Sequence, residues 1–141
     1  MYDVSLVIPV YNEEENIKSL FNSIRSTGLY EKIKEVIIID DCSEDNTSSI
    51  LLELDSEYVK LKFHKNVKNL GQSYSIKKGA ELSNCKTILT MDGDGQNDPF
   101  DGIKLLNIYH NDTELYLVGG IRKNRKDNTL KKLASLIANR V

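Results

Sequence analysis

Asp92, Asp94 and Gln96 stand two residues apart in the stretch Asp92-Gly93-Asp94-Gly95-Gln96-Asn97-Asp98. In extended backbone, side chains two apart point the same way, so these three would converge on one side. All three offer oxygen, a donor set that suits Mg²⁺ or Mn²⁺, and soft ligands are absent. Gly93 and Gly95 keep side chains off the intervening backbone, which lets a phosphate or sugar approach closely. A divalent ion held by so few protein groups completes its shell with water and substrate phosphates, and it would offset the charge on a departing diphosphate. The plainer alternative is an acidic turn, and an isolated Asp-x-Asp usually is one. Position argues for chemistry, because the stretch directly follows the strand-like run Ile88-Leu89-Thr90-Met91. The ligand spacing and closing glutamate of a helix-loop-helix calcium site are missing.

Two further polar clusters follow apolar runs: Pro9-Val10-Tyr11-Asn12-Glu13-Glu14-Glu15 and Asp40-Asp41-Cys42-Ser43-Glu44-Asp45. Tyr11 could stack on a base, while Glu13 or Asp41 could accept hydrogen bonds from a ribose or a base N–H. Packing for Tyr11, and helix capping for Asp40 and Asp41, are the structural alternatives. Asn69-Leu70-Gly71-Gln72-Ser73 reads either as a turn and cap or as a loop leading to a helix N-terminus near phosphates. So many carboxylates must be solvated, paired or shared by a cation, because unpaired charge is costly to desolvate.

The elements that would position these clusters alternate regularly. Val4 to Val10 is an apolar run that suits a buried parallel strand ending at Pro9. Ile17, Leu20, Phe21 and Ile24 fall on one helical face, and Gly28 stops that helix. Val36 to Ile39 is a second buried strand. Ser43 or Asp45 caps the next helix, which carries Ile50, Leu51 and Leu54. Val59, Leu61 and Phe63 alternate with polar residues as in a half-exposed edge strand. Ser73 to Leu82 reads as a helix and Thr87 to Met91 as a strand. Asp98 and Pro99 open another helix, whose buried face is Ile103, Leu106 and Tyr109. Leu115 to Val118 looks like a fifth strand. This alternation predicts an α/β layered domain around a mainly parallel sheet. Its ligands would bind beyond the carboxyl ends of the strands, where all three clusters lie.

Composition narrows the function classes. The chain has 141 residues, 40% of them hydrophobic and 28% charged, as in one soluble globular domain. A formal net charge of -2 gives no overall positive field to attract nucleic acid. Its apolar runs fall far short of the roughly 18 residues of a membrane span, and the N-terminus does not read as a secretion signal. Cys42 and Cys85 form no metal or disulfide framework, so a reduced, cytoplasmic setting is expected. His64 and His110 have no ligand partner at suggestive spacing.

Taken in order, Pro9-Val10-Tyr11-Asn12-Glu13, Ile39-Asp40-Asp41-Cys42-Ser43, Asn69-Leu70-Gly71 and Met91 to Pro99 resemble the "family two" glycosyltransferases of GT-A fold. The branch most similar is that of dolichol-phosphate mannose synthases and bacterial polyprenyl-phosphate glycosyltransferases. There an Asp-x-Asp-x-Gln-x-x-Pro segment is followed by Gly-x-Arg-x-x-Arg, which Gly120-Ile121-Arg122-Lys123-Asn124-Arg125 reproduces. The resemblance runs over nearly the whole chain, and four ordered motifs are far more specific than one. It implies a three-layer, Rossmann-like domain over residues 1–141 that binds a UDP- or GDP-linked sugar. Pro9, Tyr11, Glu13, Ile39 and Asp41 would hold the nucleoside. Asp92 and Asp94, with Gln96, would manage a Mg²⁺ or Mn²⁺ ion and the diphosphate, and Arg122 would lie near the phosphates.

The family inverts the anomeric centre, and in this branch the acceptor is a lipid phosphate, at the cytoplasmic membrane face. That nucleophile is already anionic, so positioning and charge neutralisation would carry most of the rate. Gly95 departs from the branch, which often has leucine there. The family's catalytic domain also continues past the point where this chain stops. The resemblance therefore implies that the acceptor part lies beyond Val141 and that this chain is a fragment able to bind donor without turnover. The basic stretch Arg122 to Lys132 reads as a solvated face or as a surface for an anionic lipid. A saccharide acceptor and a non-catalytic nucleotide-sugar-binding module are the alternatives. A nucleotidyltransferase would carry a Gly-, Arg- and Lys-rich first loop where this chain has Tyr-Asn-Glu-Glu-Glu. A receiver domain would need an aspartate after the third strand, where Phe63-His64-Lys65 has none.

Overall fold

The computed structural model describes residues 1–112 and 114–120. Four strands, β1 (Val4–Val10), β2 (Glu35–Asp40), β3 (Leu61–Lys65) and β4 (Thr87–Thr90), alternate with helices α1 (Ile17–Ser26), α2 (Leu29–Lys32), α3 (Thr47–Glu57), α4 (Gln72–Leu82) and α5 (Pro99–Asn111). The sheet order is β3-β2-β1-β4, and every pairing is parallel. The expected α/β architecture is therefore observed, with β3 at an edge. Every residue of β1 and β2 is buried, as parallel strands covered on both faces require.

The two faces are unequal. Val4, Leu6, Ile8 and Val10 of β1 meet Ile17, Leu20, Phe21 and Ile24 of α1, together with Leu29, Leu51, Leu54, Ile103 and Leu106, in the main core. Val7, Ile37 and Ile39 form a smaller core on the other face, against which α4 packs. That approach is close enough to require a glycine: a Cβ on Gly79 would stand 2.4 Å from Val7 Cγ1. Gly28, at φ +78°, ends α1 as expected and donates its N–H to Arg25 O.

Pro9 does not end β1, which runs on to Val10 in register with Asp40. Met91 N donates to Val7 O, so Ser5, Val7 and Pro9 turn their backbone groups toward β4. The β1–β4 register ends at Val7 and Thr90, so the missing N–H of Pro9 falls beyond the paired stretch. The expected fifth strand at 115–118 is not observed. Tyr116 and Leu117 are exposed, and this segment borders a groove along Lys86–Leu89 without pairing to it. Val59 is also exposed, and β3 begins only at Leu61. Among the described residues no helix is long and apolar enough to cross a membrane.

Candidate functional site

All four strands point their carboxyl ends at one edge, and the loops leaving them are bonded to one another. The β1 loop turns at Asn12 (φ +54°) and the β2 loop at Cys42 (φ +68°), each in the left-handed region that side chains disfavour by about 1 kcal/mol or more. Reciprocal bonds hold both turns. Asn12 N donates to Ser43 Oγ (2.9 Å), Glu44 N to Asn12 Oδ1 (2.9 Å) and Glu13 N to Thr47 Oγ1 (2.8 Å). Glu14 joins the same lattice through Asp45 and Asn46. Asp45 Oδ1 also accepts from Thr47 N (3.0 Å), but the N-cap position of α3 is Asn46, so neither Ser43 nor Asp45 occupies the cap expected for them.

The β2 and β3 loops are joined by Asp41, which is 4% exposed. Its carboxylate accepts from Asn66 Nδ2 (2.7 Å), Leu70 N (3.0 and 3.1 Å) and Gly71 N (2.6 Å). Burial alone would raise its pKa, but the donors from Asn66, Leu70 and Gly71 outweigh it and hold the group below the ordinary carboxylate range. Asp40 is also buried, and it accepts from Ser43 N (2.8 Å) and Ser48 Oγ, with Lys65 Nζ at 3.8 Å.

The β4 loop completes the edge. It is a turn rather than the extended segment expected from the spacing, because Gly95 takes φ +73° and Asp94 Oδ1 accepts from Gln96 N (3.0 Å). A Cβ on Gly93 would meet Pro9 O at 2.9 Å and Val10 Cγ1 at 2.6 Å, so this loop lies directly on the end of β1. Gln72 Nε2, in the first turn of α4, donates to Asp92 Oδ1 at 2.8 Å. Asp98 caps α5 as expected, accepting from Phe100 N (2.9 Å) ahead of Pro99.

The structure places the sequence-derived residues as follows. Tyr11 is 42% exposed. Glu13 is partly buried and accepts from Asn16 Nδ2 (2.8 Å). Pro9 and Ile39 are buried, and the Ile39 side chain packs with Val7 and Ile37 on the α4 side. Asp92 and Asp94 are half-buried on the turn beside Gln96, which is exposed. Arg122 and the basic stretch after it lie outside the described residues. Among the described residues no group of three or more His, Cys, Asp or Glu side chains could hold a metal ion. Asp92, Asp94 and Gln96 offer two carboxylates and an amide oxygen on one glycine-shaped turn, a donor chemistry that suits a divalent cation whose shell substrate completes. A cleft of about 390 Å³ lies between α1 and residues 94–99, and Tyr11, Glu13 and Asp41 do not line it. Gln72 lies in the 69–73 stretch already singled out, though with no partner assigned to it, whereas Asn66 and Thr47 were missed by sequence reasoning. A polar residue just after an edge strand, as Asn66 is, is the only local signal they give.

A family profile described as "Glycosyl transferase family 2" matches residues 5–140. The undecaprenyl-phosphate 4-deoxy-4-formamido-L-arabinose transferases of Yersinia pestis and Yersinia pseudotuberculosis are 32% identical over 141 residues. That alignment covers 96% of this chain and 42% of theirs, so the chain spans less than half the length of these curated relatives. S. aureus TarS 1-349, solved in complex with UDP, superposes with a TM-score of 0.60 at 24% identity, over 76% of this chain and 32% of that one. The mannosyltransferase PcManGT from Pyrobaculum calidifontis, in complex with GDP-Man and Mn²⁺, gives 0.59 at 20% identity, over 65% and 27%. At these identities the likeness shows the fold alone, and that fold is the Rossmann-like GT-A type.

Proposed function

This chain belongs to glycosyl transferase family 2, and from that premise we propose that it binds a nucleotide-sugar donor at the carboxyl edge of its sheet. The observation that carries this reading is the bonded lattice of strand-end loops, which holds the Asp92–Asp94 turn against the end of β1. In this reading Tyr11 stacks on the base and Glu13 accepts from the nucleoside. Asp41 acts from beneath by holding residues 66–71, and the backbone of Pro9 and Ile39 forms the floor. Asp92 and Asp94, with Gln96, hold a Mg²⁺ or Mn²⁺ ion, and Arg122 lies near the phosphates. The cation, when bound, offsets charge gathering on the departing diphosphate.

The acceptor proposed is a polyprenyl phosphate, because the Yersinia relatives are named for undecaprenyl phosphate. Its phosphate oxygen is already anionic, so direct displacement with inversion needs little from a general base. Such an acceptor would place the protein at the cytoplasmic face of a membrane. The test is calorimetric titration with UDP and with GDP, each in Mn²⁺ and in EDTA, on the wild type and on Asp94→Ala. The expected result is Mn²⁺-dependent binding of one nucleotide that Asp94→Ala weakens at least about tenfold. Equal affinity in EDTA would remove the cation from the account, and binding of neither nucleotide would contradict the donor site.

A further inference from the structure

Gln72 is exposed, begins α4, and reaches across the edge to a carboxylate on a different loop, with Nε2 2.8 Å from Asp92 Oδ1. The approach to that contact is tightly set. Gly71 precedes it at φ +89°, a conformation that side chains rarely adopt, although a Cβ there would meet nothing within 4 Å. The Gly71 and Leu70 N–H groups are both held by the buried Asp41 carboxylate. One buried charge thus fixes the turn, and the turn aims an amide at Asp92. Neither buried packing nor capping accounts for this arrangement, since Gln72 is exposed and the N-cap position of α4 is held by Gly71.

We propose that Gln72 is a positioning residue for Asp92, orienting its carboxylate for a divalent cation, with Asp41 and Gly71 as the support that aims it. The inference rests on the donor-site reading given above. An amide suits the task better than a cationic side chain. It donates to one carboxylate oxygen and fixes the rotamer, yet leaves the negative charge in place for the metal. Lysine or arginine at the same place would compete with the cation for that charge. Two strand ends, those of β2 and β4, are coupled in this way although β1 separates them in the sheet.

The experiment compares the wild-type chain with Gln72→Ala and Asp92→Ala. Nucleotide affinity is measured by calorimetry in MnCl₂ and in EDTA, with UDP and GDP as probes, and the thermal midpoint is recorded for each variant. Gln72→Ala is expected to lose about tenfold in Mn²⁺-dependent affinity, as losses of outer-shell partners typically do. Its affinity in EDTA and its thermal midpoint stay at the wild-type values. Wild-type Mn²⁺-dependent affinity in Gln72→Ala, with Asp92→Ala deficient, overturns the positioning role and leaves the donor site standing. A loss in Gln72→Ala of equal size in EDTA also overturns it, because Gln72 would then be touching the nucleotide itself. Absence of Mn²⁺-dependent binding in the wild type overturns the donor-site reading and this inference with it.

Discussion

Asp40 and Asp41 are adjacent, both buried, and both occupied by internal donors. Asp41→Ala would leave the Leu70 and Gly71 amides and the Asn66 side chain without their acceptor. A loss of about 3 kcal/mol in urea unfolding is expected. Stability unchanged within 1 kcal/mol would show that water replaces the carboxylate. Glu35 presents a comparable case at the opposite end of the sheet. Burial pushes its pKa up, but Lys62, the Asn84 N–H and Ser5 outweigh that and lower it to about 2. A depressed folded-state pKa contributes stability that is present above about pH 4.5 and lost as pH falls toward 2. Glu35 alone should therefore account for a loss on the order of 3 kcal/mol across that window, and Glu35→Gln should start less stable and lose less. Parallel pH curves for the two would contradict this. The types of these residues were legible in the sequence, but their partners were not. The donors to Asp41 lie 25 to 30 positions away, and only the fold brings them together.

Elements were legible where apolar periodicity was strong and buried on the expected side. The four positions read from α1 are all in the core, and the capped start of α5 is where Asp-Pro placed it. The reading failed where pattern and partner separated. The Leu115–Val118 run has strand-like composition but no ladder to join among the described residues, and Pro9 continues a strand because its neighbour has already ended. Extended spacing was likewise the wrong template for Asp92 to Gln96, since Gly95 supplies a positive φ that folds the segment into a turn. Gly79→Ala would press a methyl into Val7, a stiff β-branched side chain buried in the smaller core, and should cost about 1–3 kcal/mol by urea unfolding. Gly93→Ala meets a backbone oxygen instead, so the loop has to lift. Mn²⁺-dependent nucleotide binding should then fall by more than stability does, as calorimetry and thermal unfolding on one sample would reveal. Full binding in Gly93→Ala would show that the loop's seat on β1 is not needed.

At the scale of the molecule, an all-parallel sheet gathers four loops at one edge and leaves the other edge to structural pairs such as Glu35 with Ser5 and Asn84. The α/β class and the location of the acidic clusters were legible, because strand ends precede each cluster in the chain. The coupling among the clusters was not, because Asp41 to Gly71 and Gln72 to Asp92 are long-range bonds with no local signature. The most direct test of a donor site at this edge is amide NMR of the ¹⁵N-labelled chain with UDP or GDP and substoichiometric Mn²⁺. Donor and cation bound at this edge should broaden Asn12, Gly71, Gly93 and Gly95 paramagnetically, with Glu35 and Asn84 spared. Broadening centred on Glu35 and Asn84, or none at Gly71 and Gly93, would contradict it.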